Sequence, residues 1–281
     1  MANTTQRSLV GMRLDLFKLF GKPYNVLENT TLNEKFSNLK VVGKLNSYST
    51  YPILQYYGFG CGGNNAITGS STPTYSRHSP NDCNLFNLAP LKKIALGQDE
   101  TLHTTLHDTR YRMLEKSEIA NTGYLYLKKL DMDNDIYIDD TFTKVTAKNG
   151  TARLSSYSVK DIKDALSPSP IVRGIDYENL ENKNIEYGNV YAHVRITMSK
   201  DELEEMRDAC KSKGYSTKIT EIGLFTGIDM CDALVTELYI SIDVSIDILA
   251  ELNKKDSKGF TRFIEVGGSE PLVLKDNRDA D

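Results

Sequence analysis

The clearest periodic pattern in the chain predicts a helix between residues 199 and 214. Apolar residues recur there at the spacing of a single helix face, with charged residues between them. Ser199 and Glu202 match a capping box, in which each side chain accepts a hydrogen bond from the other residue's backbone N–H. Gly214 stands where the chain must leave the helix through a left-handed conformation. The apolar positions of this face are Leu203, Met206 and Cys210.

Runs rich in β-branched and apolar residues surround this helix and predict strands. These runs are residues 189–198, 217–225, 233–242 and 260–266. Turn-forming residues at 226–232 separate the second run from the third. We therefore expect residues 171–274 to form a C-terminal α+β unit of strand, helix, strand and strand. The charged segment 275–281 is predicted to be a mobile tail.

The N-terminal region, residues 1–166, also favours strands. The predicted strands are residues 40–45, 51–57, 111–113, 124–130 and 136–145, and short helices are predicted at 99–107 and 158–166. Glycine, serine and asparagine crowd residues 58–76, which predicts a loop too long to be a routine connection. Asn149-Gly150 is typical of a hairpin turn, and Ser167-Pro168-Ser169-Pro170 is typical of a hinge. The predicted fold class is α+β, mainly antiparallel β with a few short helices.

The first apolar stretch of the chain, residues 8–20, fits either a short amphipathic helix or an extended arm. Gly21-Lys22-Pro23 ends it, because proline cannot continue a helical hydrogen-bond ladder. In an assembly protein such an arm packs against a neighbouring subunit, whereas in a monomer it covers one edge of the core. The sequence leaves both readings open.

Composition narrows the classes of function. The length of 281 residues allows one large or two small domains, and 40% hydrophobic residues suffice for a core. The net charge of −4 and the pI near 5.7 argue against a surface that neutralises phosphates, so no specific nucleic-acid partner is expected. Sixteen tyrosines with many Asn, Thr and Ser residues suit β-rich contact surfaces, although an AT-rich genome would give much the same composition.

Targeting signals and membrane spans are not predicted. No window approaches the ~20 apolar residues that a membrane span needs. The N-terminus lacks the basic-then-apolar pattern of a secretion signal. Synthesis in the cytoplasm, with reduced cysteines and no membrane partner, is therefore expected.

Three patterns resemble metal or calcium sites but depart from them at decisive positions. The four cysteines contain no C-x-x-C pair. His103 and His107 have the spacing of two ligands on a helix, but Thr104 replaces the glutamate of the zinc-protease motif. Residues 131–135 alternate carboxylates like the start of a calcium loop, but later required positions hold Ile136 and Phe142. A solvated acidic turn is expected, and a looser cation site using Asp139 or Asp140 stays open.

Two further patterns suggest enzyme chemistry only superficially. Gly58, Gly60 and Gly63 match the G-x-G-x-x-G spacing, but no helix follows to bind a pyrophosphate. Cys61 or Cys83 with His78 would provide a nucleophile and a base, but nothing in the sequence orients them. We therefore expect a protein that is not an enzyme and that needs no cofactor or metal.

The run Ile219-Thr220-Glu221-Ile222-Gly223-Leu224-Phe225, followed after a short loop by a second apolar strand, resembles a segment of many tailed-bacteriophage structural proteins. Tail-fibre, collar and baseplate components are the main examples. Residues 108–113 and 122–129 are similar to an "xYRxR … YxxYYLK" pattern of phage virion proteins. The acidic turn usual after Leu-Phe in that family is replaced here by Thr226-Gly227-Ile228-Asp229, which leaves the component open.

The resemblance implies a structural component of a tailed-phage virion, in the tail, collar or baseplate, that is assembled in the host cytoplasm. Its partners would be other virion structural proteins and copies of itself. It would act by docking, with strand edges and long loops ordered on assembly. The predicted interface residues are Leu14, Phe17, Phe20 and Phe59. The residues predicted to secure the fold are Ser199, Glu202, Glu221, Gly223 and Phe225.

A second interpretation is a β-rich carbohydrate- or receptor-binding module. In that case Tyr56, Tyr57 and Phe59 would form an aromatic stacking surface. Size-exclusion chromatography with light scattering would separate the two interpretations, because a purely monomeric, fully ordered protein would count against assembly.

Overall fold

A computed structural model of the chain describes residues 9–25, 44–45, 52–63, 78–79, 84–96, 110–117, 121–139, 141–148, 151–158, 185–229 and 234–271. Strands dominate this part of the chain, and its helices are short. The predicted class, α+β with mainly antiparallel strands, is confirmed.

The helices are α1 (Leu9–Leu19), α2 (Lys200–Lys213) and α3 (Ile248–Leu252). The strands are β1 (Tyr24–Asn25), β2 (Lys44–Leu45), β3 (Ile53–Gly60), β4 (Lys92–Ala95), β5 (Tyr111–Lys116), β6 (Thr122–Lys129), β7 (Ile136–Ile138), β8 (Thr141–Lys148), β9 (Thr151–Ser158), β10 (Ile185–Met198), β11 (Lys218–Ile228), β12 (Leu234–Asp247) and β13 (Phe260–Pro271).

The strands form three sheets. A six-stranded sheet has the order β12-β11-β3-β6-β4, and β5 pairs with β6. Leu125 of β6 lies opposite both Lys92 of β4 and Leu114 of β5, so β5 lies on the other side of β6 from β4. A five-stranded sheet has the order β13-β10-β8-β9, with β7 beside β10, and β1 pairs with β2.

The chain divides into two compact units that interleave along the sequence. One comprises residues 1–47, 137–194 and 265–281, and the other comprises residues 48–136 and 195–264. This division differs from the predicted split between 1–166 and 171–274, because β3 and β11 pair within one sheet. Strand pairing joins segments that are distant in sequence, and a contiguous reading of the chain cannot reveal it.

The predicted helix is confirmed together with its caps. Ser199 accepts a hydrogen bond from the backbone N–H of Glu202, and the Glu202 carboxylate accepts one from the backbone N–H of Ser199. Gly214 is left-handed, with φ of 72°. The buried face consists of Leu203, Met206, Ala209 and Cys210. Ala209 packs against Tyr124 and Tyr126, so α2 covers one face of β6.

The structure also decides several other local patterns. Residues 9–19 form a helix rather than an extended arm, and Gly21 leaves it with φ of 59°. β5 and β6, which contain the predicted strands 111–113 and 124–130 almost completely, pair antiparallel. β8 and β9 pair on either side of Asn149-Gly150, with Lys148 opposite Thr151.

Some predicted boundaries differ from the structure. β3 continues through Gly58 and Gly60, which had been placed in the loop 58–76. A Cβ on Gly58 would lie 2.9 Å from Leu127 Cδ2, so glycine here lets a neighbouring side chain reach the strand backbone. The predicted strand 136–145 divides into β7 and β8.

Other predictions concern residues outside the described ranges. These are the loop residues 64–76, the helix 99–107 with His103 and His107, the hinge 167–170 and the tail 275–281. Of the predicted helix 158–166 only Ser158 is described, and it ends β9 instead of beginning a helix. The strands β1, β4 and β9 and the helix α3 were not predicted.

Candidate functional site

The strand that resembles phage structural proteins lies inside the six-stranded sheet. β11 pairs with β12 on one side and with β3 on the other. Residues 219–227 are all buried. The predicted turn at 226–232 begins later than expected, because Thr226 and Gly227 still pair with both neighbouring strands.

Glu221 is the most deeply buried charged residue of this strand, with 1% of its surface exposed. Its Oε2 accepts a hydrogen bond of 2.9 Å from the backbone N–H of Phe86, and its Oε1 lies 3.2 Å from Nε2 of His78. A Cβ on Gly60 or Gly63 would lie 2.6 Å or 2.4 Å from a carboxylate oxygen of Glu221. These glycines therefore make room for a carboxylate.

The position of the Glu221 carboxylate decides whether the G-x-G-x-x-G segment has room for a pyrophosphate. A pyrophosphate beside Gly60 and Gly63 would meet the Glu221 carboxylate, and like charges at that distance repel strongly in a buried site. Thr220 uses two backbone groups there: its Oγ1 accepts a hydrogen bond from the N–H of Gly63 at 3.0 Å and donates one to the carbonyl of Gly60 at 3.2 Å. The glycines serve packing and pairing between β3 and β11.

Cys61 and His78 lie in this region, but the thiol is not activated. Cys61 is buried and donates a hydrogen bond to the Asn87 carbonyl at 3.3 Å. Burial, with a smaller contribution from the Glu221 charge, raises the pKa of the Cys61 thiol to about 11. A protonated thiol is a poor nucleophile at neutral pH. Cys83 lies outside the described ranges.

Gly223 and Phe225 lie in buried parts of the same sheet. Gly223 lies opposite Gly58 of β3. Phe225 packs in a buried cluster with Tyr56, Leu85 and Leu127. Together with Glu221, these residues place the resembling segment in contact with β3, with β6 and with the backbone of Phe86.

The aromatic residues proposed as a stacking surface are buried. Tyr56, Tyr57 and Phe59 expose at most 1% of their surface. The Phe59 ring makes edge contacts with Tyr57 and Phe260, each at 5.7 Å between centroids. A sugar has no access to these rings, so this surface of the carbohydrate-binding interpretation was wrong. Residues 53–59 are apolar apart from Gln55, which fits a strand that is buried along nearly its whole length.

Burial also affects the predicted interface residues. Phe20 and Phe59 are fully buried within the chain, so neither presents surface to another subunit in this structure. Leu14 and Phe17 are half-buried, and Arg13 lies over the Phe17 ring at 4.7 Å. A contact through Leu14 and Phe17 stays a prediction.

Glu202 has a second set of contacts that the capping pattern did not predict. Its Oε1 accepts hydrogen bonds from Lys128 Nζ and, at 3.0 Å, from the Tyr111 hydroxyl. Lys128 is nearly buried and also donates to the Thr197 carbonyl at 3.2 Å. Burial acts to raise the pKa of Glu202, but the hydrogen bonds from Lys128 and Ser199 outweigh it and lower the pKa below its usual value.

We expect Glu202→Gln to make the free energy of unfolding less dependent on pH in the acidic range. A lowered pKa in the folded state means that the ionised carboxylate contributes stability above its unfolded pKa, near 4.5, and that this contribution is lost as the pH falls through the folded pKa. The variant should be less stable than the wild type at pH 7, and the difference should narrow towards pH 2. Urea unfolding followed by circular dichroism from pH 7 to pH 2 measures it.

The matched control is Glu205→Gln, because Glu205 lies on the same helix and its ion pair with Lys92 is largely exposed. Its difference from the wild type should stay small across the whole pH range. A Glu202→Gln difference that does not change with pH would contradict the assignment.

An open cleft of about 550 Å³ lies in the unit formed by residues 48–136 and 195–264. The cleft is lined in part by the Asp135 carboxylate, which is 10% exposed. Its Oδ2 accepts a hydrogen bond from Arg110 Nη2 at 2.8 Å, and its Oδ1 accepts one from Arg195 Nη2 at 3.3 Å. Its remaining lining residues are Asp131, Asn134, Thr197, Thr261 and Phe263. The cleft is a concave site lined by charged and polar side chains and one phenylalanine.

The acidic residues of the cleft belong to a closed turn. Asp131 accepts hydrogen bonds from the backbone N–H groups of Asp133 and Asn134 and from the Asn134 side chain. The hydrogen bonds from Asn134 lower the pKa of Asp131 below its usual value. The described residues contain no cluster of three or more side chains that would hold a metal ion. Asp140 lies outside them.

Residues 1–280 match a family described as a family of unknown function, DUF7208. The chain belongs to this family. No curated protein and no solved structure matches the chain. Membership of the DUF7208 family covers both units of the fold but assigns no activity to either.

The described residues of this DUF7208 member include no helix with the length and apolar character needed to cross a membrane.

The cleft of this DUF7208 member was not predicted, because Arg110, Arg195 and Phe263 come from three distant segments. The only local signal was the run of carboxylates at residues 131–135, which the structure explains as a turn. Glu221 was found through its sequence motif.

Proposed function

We propose that the chain is a structural component of a tailed-phage virion, in the tail, collar or baseplate. The observation that carries the proposal is the strand Ile219–Phe225, whose sequence resembles a segment of such proteins. The residues that give this segment its character are also those with specific contacts here, namely Glu221, Gly223 and Phe225. The likeness therefore involves a folded element with tightly constrained side chains.

The component acts by docking to other virion proteins and to copies of itself. Stable subunit interfaces bury roughly 1,200–2,000 Å² of total surface and combine apolar anchors with a polar rim. Half-buried Leu14 and Phe17 on α1 supply one apolar contact of this kind.

Edge strands supply a second means of docking, and their geometry limits it. β12 is at the end of the six-stranded sheet, and its fourteen residues lie opposite eleven of β11. Three bulges in the pairing take up the difference. Bulges twist an edge away from flat pairing and so protect it against uncontrolled strand addition. We expect a partner to pair with short stretches of β12, such as residues 240–243, and to dock mainly through side chains.

Mass spectrometry of purified phage particles tests the proposal. Particles are purified on a density gradient from a lysate that contains this chain, and the chain is quantified against a known capsid protein. The expected result is a fixed stoichiometric copy number that survives repeated purification. A chain that is abundant in the lysate but absent from particles, or present in amounts that vary between preparations, would refute a structural role.

A further inference from the structure

The cleft between Arg110 and Arg195 has more unused hydrogen-bond donors than unused acceptors for a ligand. The Asp135 carboxylate is already used by the two arginines and by the backbone N–H of Asp131 at 2.8 Å. The Asp131 carboxylate is used by Asp133 and Asn134. The acidic oxygens of the cleft therefore have internal partners.

The two guanidinium groups keep unused donors. An arginine carries five N–H donors. Arg110 uses Nε on the Lys129 carbonyl at 2.8 Å and Nη2 on Asp135. Arg195 uses Nε and Nη2 on Asp135. Within the described residues, Nη1 of neither arginine has a hydrogen-bond partner, and the two side chains are 45% and 44% exposed.

Asp135 also holds the guanidinium groups in place. Its backbone is fixed, because its N–H donates to the Asp131 carbonyl and its carbonyl accepts from the Arg195 N–H, both at 2.7 Å. A side chain held by a buried carboxylate loses less conformational entropy on binding than a free surface arginine does. The cleft is therefore preorganised to bind a group rich in acceptors.

An apolar contact lies beside these donors. Phe263 lines the cleft and is 69% exposed, more than any other large hydrophobic side chain among the described residues. The hydroxyls of Thr197 and Thr261 are also in the lining. Arginine and aromatic residues are enriched among the residues that contribute most of the binding energy at protein interfaces.

We propose that this cleft binds an extended segment of a partner polypeptide that presents an Asp or Glu side chain next to an apolar one. The carboxylate accepts paired N–H bonds from the arginines, and the apolar side chain covers Phe263. A carboxylate suits the cleft better than a phosphate does, because Asp131 and Asp135 repel a dianion more strongly than a monoanion. The inference concerns the binding chemistry of the cleft and holds whether or not the chain is a virion component.

Selection from a random nine-residue peptide library displayed on messenger RNA, with the full-length chain as bait, tests the proposal. Enriched peptides should share an acidic residue next to an aromatic or aliphatic one. Synthetic copies should bind in fluorescence anisotropy at least about tenfold more weakly to Arg195→Gln and to Phe263→Ser than to the wild type. A peptide in which Asn or Gln replaces the acidic residue should bind the wild type more weakly by a similar factor. On Arg195→Gln the same replacement should weaken binding little further, because the arginine that pairs with the acid is already absent.

The matched control is Arg262→Gln, an exposed arginine next to Phe263 that does not line the cleft, and it should change binding less than about twofold. Arg195→Lys keeps the positive charge beside Asp135, so it should remain folded and still weaken binding. Circular dichroism establishes that each variant is folded.

Three results would overturn the proposal. The first is a selection without an acidic consensus, and the second is peptide binding that is insensitive to both Arg195→Gln and Arg195→Lys. The third is displacement of the bound peptide by inorganic phosphate at a concentration similar to that of the peptide. Such displacement would assign the cleft to a phosphate ligand. None of these results depends on whether the chain is found in purified particles.

Discussion

Replacing Gly259 with alanine is expected to lower the free energy of unfolding by about 3 kcal/mol or more. Gly259 precedes β13 and has φ of 99°, a conformation that L-residues rarely adopt. A Cβ on it would lie 1.9 Å from the Met198 carbonyl oxygen. Neither that backbone oxygen nor the φ angle can relax without moving β13 or the start of α2. Urea unfolding followed by far-ultraviolet circular dichroism measures the loss.

Gly214→Ala is the matched control for this prediction. Gly214 is also left-handed, with φ of 72°, but no described atom lies within 4 Å of the position its Cβ would take. Alanine there should cost about 1 kcal/mol, because only the backbone conformation is strained. The difference between the two variants isolates the steric contribution at Gly259. Equal losses would contradict the close approach of Gly259 to Met198.

Glu221→Ala is expected to lower the free energy of unfolding by about 2–4 kcal/mol. The substitution leaves the partly buried N–H of Phe86 without its acceptor and opens a cavity beside Gly60 and Gly63. It also removes the carboxylate that lies 3.2 Å from His78. The strand that carries the phage-like motif should therefore lose much of its attachment to the segment around Phe86. The same unfolding measurement applies.

Glu205→Ala serves as the control for Glu221→Ala. Glu205 pairs with Lys92 at 2.8 Å, but both side chains are substantially exposed. Exposed ion pairs of this kind contribute less than about 1 kcal/mol. If Glu221→Ala cost no more than Glu205→Ala, the buried carboxylate would not secure β11.

The elements that sequence patterns predicted most accurately are those whose stabilising contacts are local. The helix from Lys200 to Lys213 was predicted with its caps because the capping box, the apolar repeat and Gly214 act within a few residues of one another. The reversal of the chain between β8 and β9 was predicted from Asn149-Gly150 for the same reason, although the strand β9 itself was not predicted. Local interactions leave a readable pattern at fixed spacing.

Strand boundaries were less accurate where neighbouring strands decided them. β3 extends to Gly60 and β11 to Ile228 because each has pairing partners along its whole length. Gly58 and Gly60 resembled the start of a loop, since glycine is common in loops. Their actual role is to admit the side chains of Leu127 and Glu221, and that role depends on strands distant in sequence.

By itself, the sequence determined the fold class, the capped helix, the turn pair Asn149-Gly150 and the motif strand, because each rests on residue preferences and short-range spacing. Only the tertiary structure decided that the two units interleave, that Tyr56, Tyr57 and Phe59 are buried, and that Arg110, Arg195 and Phe263 line one cleft. These features arise when antiparallel pairing brings segments together across more than one hundred residues, as Glu221 meets Gly60. Contacts at that separation depend on the order of the strands in the sheet, which the residue pattern within a single strand does not encode.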